Sequence, residues 1–280
     1  QLFYGHTRVI AISEALAREG TKDIMDPFRR DPQIRRLLWP LVVKGDAVEL
    51  LRANPELEQI PTVFIMDLIQ SGTQKERIPD MNLGNFYIDL SSISREAFLN
   101  YVEVNKNDIK WSGVAVFHGD KMVGTLPEKE TWSLMRIQNK KDGGSIIFEQ
   151  NHNPDQLLTL STEFISIKED YKYTDERVQI QIKIAVECDL LEKTFDTDFS
   201  DLEQISKLER DAAEHLEAET KDMLRKLQQE YKSDILGLGT KIKAYHPDIW
   251  RKINWEQAFP KADIRVNYDV KLRRTGMEMK

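Results

Sequence analysis

The sequence predicts a multidomain α+β protein. A mixed helix/strand amino-terminal region covers residues 1–105, and a carboxy-terminal region covers 106–280, where a largely antiparallel sheet is covered by a long helix. Three observations predict this. Apolar residues recur at helical spacing through most of the first hundred residues and change to strand period near residue 105. Two stretches, "RVQIQIKIAVEC" and "ADIRVNYDVKLRRTG", alternate apolar and polar side chains almost perfectly. Between them a long stripe, Ile205, Leu208, Ala212, Leu216, Met223, Leu227 and Tyr231, follows a helical period with a charged opposite face.

In chain order, "VIAISEALAREG" places Ile12, Ala15 and Leu16 at helical spacing and ends at Gly20, a residue suited to a left-handed helix cap. Asp31-Pro32 and Asp46-Ala47 each set a capping carboxylate before an expected helix, the first with proline where a missing N–H does no harm. "LWPLVV" between them fits a short buried strand. "PTVFIMDLIQ" and "NLGNFYIDL" carry apolar residues three and four apart and predict two more helices. The amino-terminal region is open to division near 55–60, and "NKND" reads as the linker at the main boundary.

Beyond that boundary, Trp111–Phe117 and Met122–Leu126 flank Gly119-Asp120 and predict a hairpin over 111–126. Pro127 with Glu128 and Glu130 fits the first turn of a helix running to about Arg136, with carboxylates at its positive end. This hairpin and helix leave room for a separate middle module reaching about residue 140. In the alternating strands Val178, Ile180, Ile182, Ile184, Val186 and Cys188 form one dry face, and Ile264, Val266, Tyr268, Val270 and Leu272 another. With "LLTLSTEFISIK" they make a sheet wet on one side, for which antiparallel pairing is usual. Ser200 and Glu203 form an S-x-x-E capping box at the head of the long helix. "GLG" at 237–239 reads as a helix stop and chain reversal, since it lacks the third glycine of a dinucleotide loop and follows a helix.

The totals restrict function. A net charge of −7 opposes broad adsorption to nucleic acid or anionic lipid. The cluster Arg29, Arg30, Arg35 and Arg36 alternates with Asp26 and Asp31 and reads as a solvated helix end. The single cysteine, Cys188, excludes an intramolecular disulfide and reads as a small buried hydrophobe. His6, His118, His152, His215 and His246 show no metal-ligand spacing, and His215 is expected in solvent. Acidic pairs such as Asp196 with Asp198 read as ordinary surface. No catalytic residue, cofactor or metal is expected, and the longest apolar run, "LLWPLVV", is too short to cross a bilayer. Trp111, Trp250 and Trp255 are assigned to core or domain junctions, and Trp132 is left as a candidate interface residue. The first residues read as the interior of a domain, so upstream residues are expected.

An ordered series of motifs then resembles the C subunit of bacterial spore nutrient germinant receptors, the Ger(x)C family of germination lipoproteins. "GVAVFHGDKMVGTL" is similar to the family's hairpin, through Gly113, Phe117, Asp120, Lys121 and Gly124. "SDILGLG", "HPDIW", "NWEQAF" and "VKLRRTG" are similar to its carboxy-terminal signature, through Asp234, Gly237, Gly239, Pro247, Trp250, Trp255, Phe259, Arg274 and Gly276. Leu236 and Leu238 stand where the family often has aromatic residues. The resemblance implies structural roles for the motif residues and a non-enzymatic subunit working with membrane subunits A and B. It also implies a lipid on an upstream cysteine absent here, on the outer face of the spore's inner membrane, with no nucleic acid among the partners. An extracytoplasmic small-molecule binder is the alternative, motivated by the apolar hairpin.

Overall fold

The computed structural model describes residues 7–55, 60–105, 108–138, 145–150, 153, 155–195 and 201–274. The chain forms two compact units, one from the residues up to Thr131 with Lys226–Pro260, the other from Trp132–Arg225 with the residues from Lys261 onward. The architecture is α+β, as the sequence predicts, and each of its two sheets is mixed. The units are drawn differently from the division expected near residue 105. Asn105 pairs with Asp108 there, so strands on both sides of that point share one sheet.

The first unit is built on β1 (Val9–Ser13), β2 (Trp39–Val43), β3 (Phe98–Asn105), β4 (Asp108–His118) and β5 (Lys121–Leu126), in that spatial order. β1, β2 and β3 run parallel, and β3, β4 and β5 antiparallel. The parallel strands need crossover segments, which α1 (Glu14–Glu19), α2 (Lys22–Arg30), α3 (Val48–Arg52), α4 (Pro61–Gln74) and α5 (Leu83–Leu90) supply. The expected hairpin is β4–β5, turning at Gly119 with φ +59°. Asn100 and Trp111 solve a burial problem inside it: the Trp111 indole N–H donates to Asn100 Oδ1 at 3.1 Å, and Asn100 Nδ2 donates to Pro79 O at 3.0 Å. Both side chains are buried, so each polar group has needed and found a partner.

Three local expectations are corrected. "VIAIS" is the strand β1 and only "EALARE" is helical, because pairing with β2 outweighs the helical spacing; Ile12 is buried in the strand while Leu16 is exposed. Asp31 ends α2 instead of starting a helix, its Oδ1 accepting from Gln33 N at 2.8 Å in a turn. Asp46 does precede a helix as expected: Ala47 is the N-cap of α3, and Asp46 Oδ1 accepts from Val48 N at 3.0 Å in a turn leading into it. Gly237 opens a helix, α8 (Leu238–Tyr245), after the chain has reversed, so "GLG" is a start and not a stop. Two short helices follow, α9 (Pro247–Trp250) and α10 (Trp255–Ala258).

In the second unit β6 (Ile146–Glu149), β7 (Leu157–Thr174), β8 (Arg177–Lys193) and β9 (Asp263–Arg274) lie side by side. β6, β7 and β8 are antiparallel, and β9 joins β8 in parallel, a pairing that alternation alone does not indicate. Every residue of the dry face from Val178 to Cys188 is buried, while Gln179, Gln181 and Lys183 are exposed. α6 (Glu128–Ile137) starts where Pro127 and the acidic pair indicate. α7 (Leu202–Arg225) buries Leu208, Ala212, Leu216 and Met223, and a π-helical turn, Lys226–Tyr231, continues it. Each such leucine stabilises the fold by about 1.5–3 kcal/mol. Ser200 of the expected capping box lies outside the described residues; Asp201 Oδ1 accepts from Glu203 N at 2.9 Å.

β9 is an edge strand, and α7 caps two of its backbone N–H groups. Glu217 Oε1 accepts from Tyr268 N and Glu209 Oε1 from Leu272 N, each at 3.0 Å. The spacing matches: Glu209 to Glu217 spans about 12 Å of helix, and Tyr268 to Leu272 about 13 Å of strand. Capped N–H groups offer no template to another chain's strand. Converting both glutamates to alanine is expected to cost about 1–3 kcal/mol in urea unfolding and to raise light scattering at high protein concentration.

Candidate functional site

The carboxy-terminal motifs of the first unit converge on one buried carboxylate. Asp234 Oδ1 accepts from Gly237 N at 3.0 Å and Leu238 N at 3.3 Å, and Oδ2 accepts from Gly239 N at 2.8 Å and the Trp255 indole N–H at 2.9 Å. Three of these donors are the N–H groups that open α8, which have no partner within the helix. Burial pushes the Asp234 carboxyl up from its ordinary range, a net rise that the four donors oppose. Gly239 is required by closeness: a Cβ there would overlap the Trp255 indole and the Ser94 carbonyl. The adjoining residues tie the motif to the hairpin sheet. Ser233 Oγ donates to Phe117 O at 2.6 Å, and Glu96 N donates to Asp234 O at 3.0 Å.

Beside this knot a cavity of about 560 Å³ opens, lined among others by Ile93, Arg95, Glu96, Lys232, Trp250 and Glu256. Its floor includes Trp255 and Phe259, whose rings pack 5.7 Å apart. Glu96 holds the hairpin tip: Oε2 accepts from Gly119 N at 2.8 Å, and Oε1 lies 3.3 Å from His118 Nδ1. Glu256 approaches the other nitrogen of His118 at 3.9 Å. Burial pushes the Glu96 carboxyl up, with Glu256 and Asp234 adding to the rise and Gly119 and His118 opposing it. Arg95 is engaged from behind by Asp89 at 3.2 Å.

Asp89 is almost wholly buried, and burial pushes its carboxyl up to about 6 although Arg95 pulls it down. Between the ordinary value and that one, the folded chain keeps a proton that the unfolded chain has released, so stability falls as pH rises through this window. The full swing is about 3 kcal/mol. Urea midpoints of the wild type are expected to drop more from pH 4 to pH 7 than those of Asp89→Asn; parallel profiles would refute the assignment.

The remaining motif residues have structural surroundings. Gly113 has φ +113° and lies against the Leu126 carbonyl, and the Gly124 backbone lies under the Tyr231 ring. Phe117 is fully buried, edge-on to Phe86 at 5.4 Å. Asp120 ties the turn to α2: its carbonyl accepts from Thr21 N at 2.9 Å and its Oδ2 from Lys22 N at 3.3 Å. Trp255 and Phe259 are core, while Trp250 is half-buried with Lys243 Nζ 5.8 Å from its ring centre. Trp132 is half-buried on α6. Gly276, His6, His152, Asp196 and Asp198 lie outside the described residues. Cys188 is buried, its thiol pushed up to about 12 by burial. His215, expected in solvent, is half-buried, with Nε2 3.1 Å from Glu219 Oε1.

Sequence reasoning missed Asp89, Ser94, Arg95, Glu96 and Lys232. A signal existed for Asp89, a lone charge within the apolar run "NFYIDL". Chemically the site is a cleft with carboxylates, cations and an indole on its walls. Among the described residues no group of three or more His, Cys, Asp and Glu is placed to hold a metal ion.

This combination of fold and ordered motifs defines a class. The chain belongs to the spore germination B3/GerAC-like family, whose C-terminal model matches residues 112–276, and a model of the spore germination protein N-terminal domain matches residues 1–104. Among individual proteins it is 28% identical to spore germination protein YndF of Bacillus subtilis (strain 168), with 99% of this chain and 69% of that one covered. It is 24% identical to spore germination protein B3 of the same strain (98% and 75% covered) and 21% identical to spore germination protein GerQC of Bacillus cereus (98% and 76% covered). The crystal structure of the GerBC protein shares the fold, with a TM-score of 0.77 at 23% identity over 95% of this chain and 79% of that one.

Proposed function

We propose that the chain is the C subunit of a spore germinant receptor. In this reading it is a non-enzymatic body that docks on membrane subunits A and B in nutrient-triggered germination. The observation that carries it is the consecutive match of both family models, in order, across most of the chain. A lipid on an upstream cysteine holds it on the outer face of the spore's inner membrane. Among the described residues no helix is long and apolar enough to cross a membrane. One lipid chain gives only marginal membrane binding, so contact with A and B completes the anchoring. The motif residues around Asp234 and Gly113 act as scaffold, and Trp132 belongs to a partner surface. Deleting the gene is expected to abolish the response to one nutrient class while spores still form; normal germination in that strain would sink the reading.

The cavity beside Asp234 favours a second reading, a small-molecule binder, because its volume falls within the range of ligand sites. Calorimetry with amino acids, sugars and nucleosides separates the two. Saturable binding that is lost on Trp250→Ala supports the binder, and heat changes no larger than dilution support the adaptor.

A further inference from the structure

The cavity beside Asp234 has charged walls, and most of those charges are already engaged by the protein. Asp234 takes four donors, Arg95 lies 3.2 Å from Asp89, and Glu96 holds Gly119 N and faces His118. Two wall charges of opposite sign stay open. Lys232 is exposed and makes no ion pair among the described residues. Glu256 has a 71% exposed side chain, and the only basic group it approaches among the described residues is His118 Nε2, at 3.9 Å. Lys232 and Glu256 line the same space without pairing with each other.

Lys232 stands on a fixed point of backbone. Its φ of +52° lies in the left-handed region, which disfavours any residue carrying a Cβ. Such a conformation persists only where the surroundings impose it. Ser233 does so from the next position: its Oγ donates to Phe117 O at 2.6 Å and its N to Leu227 O at 2.9 Å. The rest of the lining is largely apolar. Trp250 and Ile253 are half-buried, Trp255 and Phe259 form the floor, and Ile93 leaves 74% of its surface uncovered. A ligand matched to these walls has an anionic end, a cationic end and an apolar body. The volume of about 560 Å³ is more than one amino acid fills and lies within the range of sites for larger organic molecules.

We propose, and the proposal rests on the small-molecule reading of this cavity, that it binds a short peptide of two or three apolar residues with both ends unblocked. The peptide carboxylate meets Lys232, its ammonium group meets Glu256, and its side chains pack on Trp250, Ile253 and Ile93.

The test is calorimetry on the full chain with the tripeptide leucyl-glycyl-phenylalanine, its amino-acetylated form, its carboxy-amidated form, and free leucine and phenylalanine. Saturable binding of the unblocked peptide is expected, about three- to tenfold weaker once either end is blocked, and weaker again for the free amino acids. Lys232→Asn removes the cation and keeps a residue that tolerates the left-handed backbone. It is expected to weaken the unblocked and acetylated peptides and to leave the amidated one unchanged. Glu256→Gln is expected to do the converse, weakening the unblocked and amidated peptides and sparing the acetylated one. Both side chains are exposed, so both variants keep the fold. Blocked peptides or free amino acids that bind as tightly as the unblocked peptide, or variants indifferent to which end is blocked, would overturn the proposal. Binding of a sugar or nucleoside without binding of the peptide would overturn the peptide and keep the small-molecule reading. Heats of dilution with every compound would overturn both.

Discussion

Replacing Asp234 with alanine is expected to destabilise the folded chain by at least about 3 kcal/mol, because hydrogen bonds to a charged group contribute about 1.5–3 kcal/mol each and their buried donors would be left without acceptors. The carboxylate takes four N–H groups at once, three from the opening turn of α8 and one from Trp255. The side chain is only 3% exposed, so its donors are held away from bulk solvent. Asp234→Asn keeps the shape but turns an NH2 toward donors, and is expected to recover less than half of the loss. Trp255→Phe removes one donor and little volume, and should cost about 1–2 kcal/mol. Guanidinium unfolding of the three variants checks the order. If Asp234→Ala unfolds within 1 kcal/mol of the wild type, roughly the scale of a single ordinary hydrogen bond, the carboxylate does not organise the motif.

Gly113→Ala is the second large effect, expected at about 3 kcal/mol or more, near the upper end for point substitutions. Two causes add. The φ of +113° is one that L side chains rarely adopt, and the new Cβ would overlap the Leu126 carbonyl, a backbone atom held in the β4–β5 ladder. Gly119→Ala is the control. Its φ of +59° is also positive, but a Cβ there meets nothing within 4 Å, so only about 1–2 kcal/mol of left-handed strain remains. Equal losses in the two variants would refute the crowding argument at Gly113. This contrast separates two glycines that stand in one hairpin motif and look alike in sequence.

Much of the second unit was legible beforehand. Alternation from Val178 to Cys188 and from Ile264 to Leu272 identified strands, and the stripe from Leu208 to Leu227 identified the covering helix, because a half-buried element writes its period directly into the chain. β3 and β6 went unread. β3 is buried on both faces at its start, so Phe98 to Val102 show no alternation, and β6 is too short for a period to register. "VIAIS" misled because five residues satisfy helical spacing as readily as strand pairing.

The site was half legible. Asp234, Gly239, Trp255 and Phe259 stand in recognisable motifs, yet Arg95 and Glu96, just before β3, and Lys232, just after the π-helical turn, join them only through folding. Arg136 shows the same division. In sequence it is an ordinary last-turn cation of a helix, and folding alone buries its side chain.

By itself the sequence determined the fold class, the amphipathic elements and the family, since these depend on periods and ordered motifs carried along one chain. Tertiary structure alone decided which strands pair in parallel, that α7 caps the edge of β9, and which charges are buried. Those outcomes depend on distances between residues far apart in the chain, and no local pattern encodes such distances.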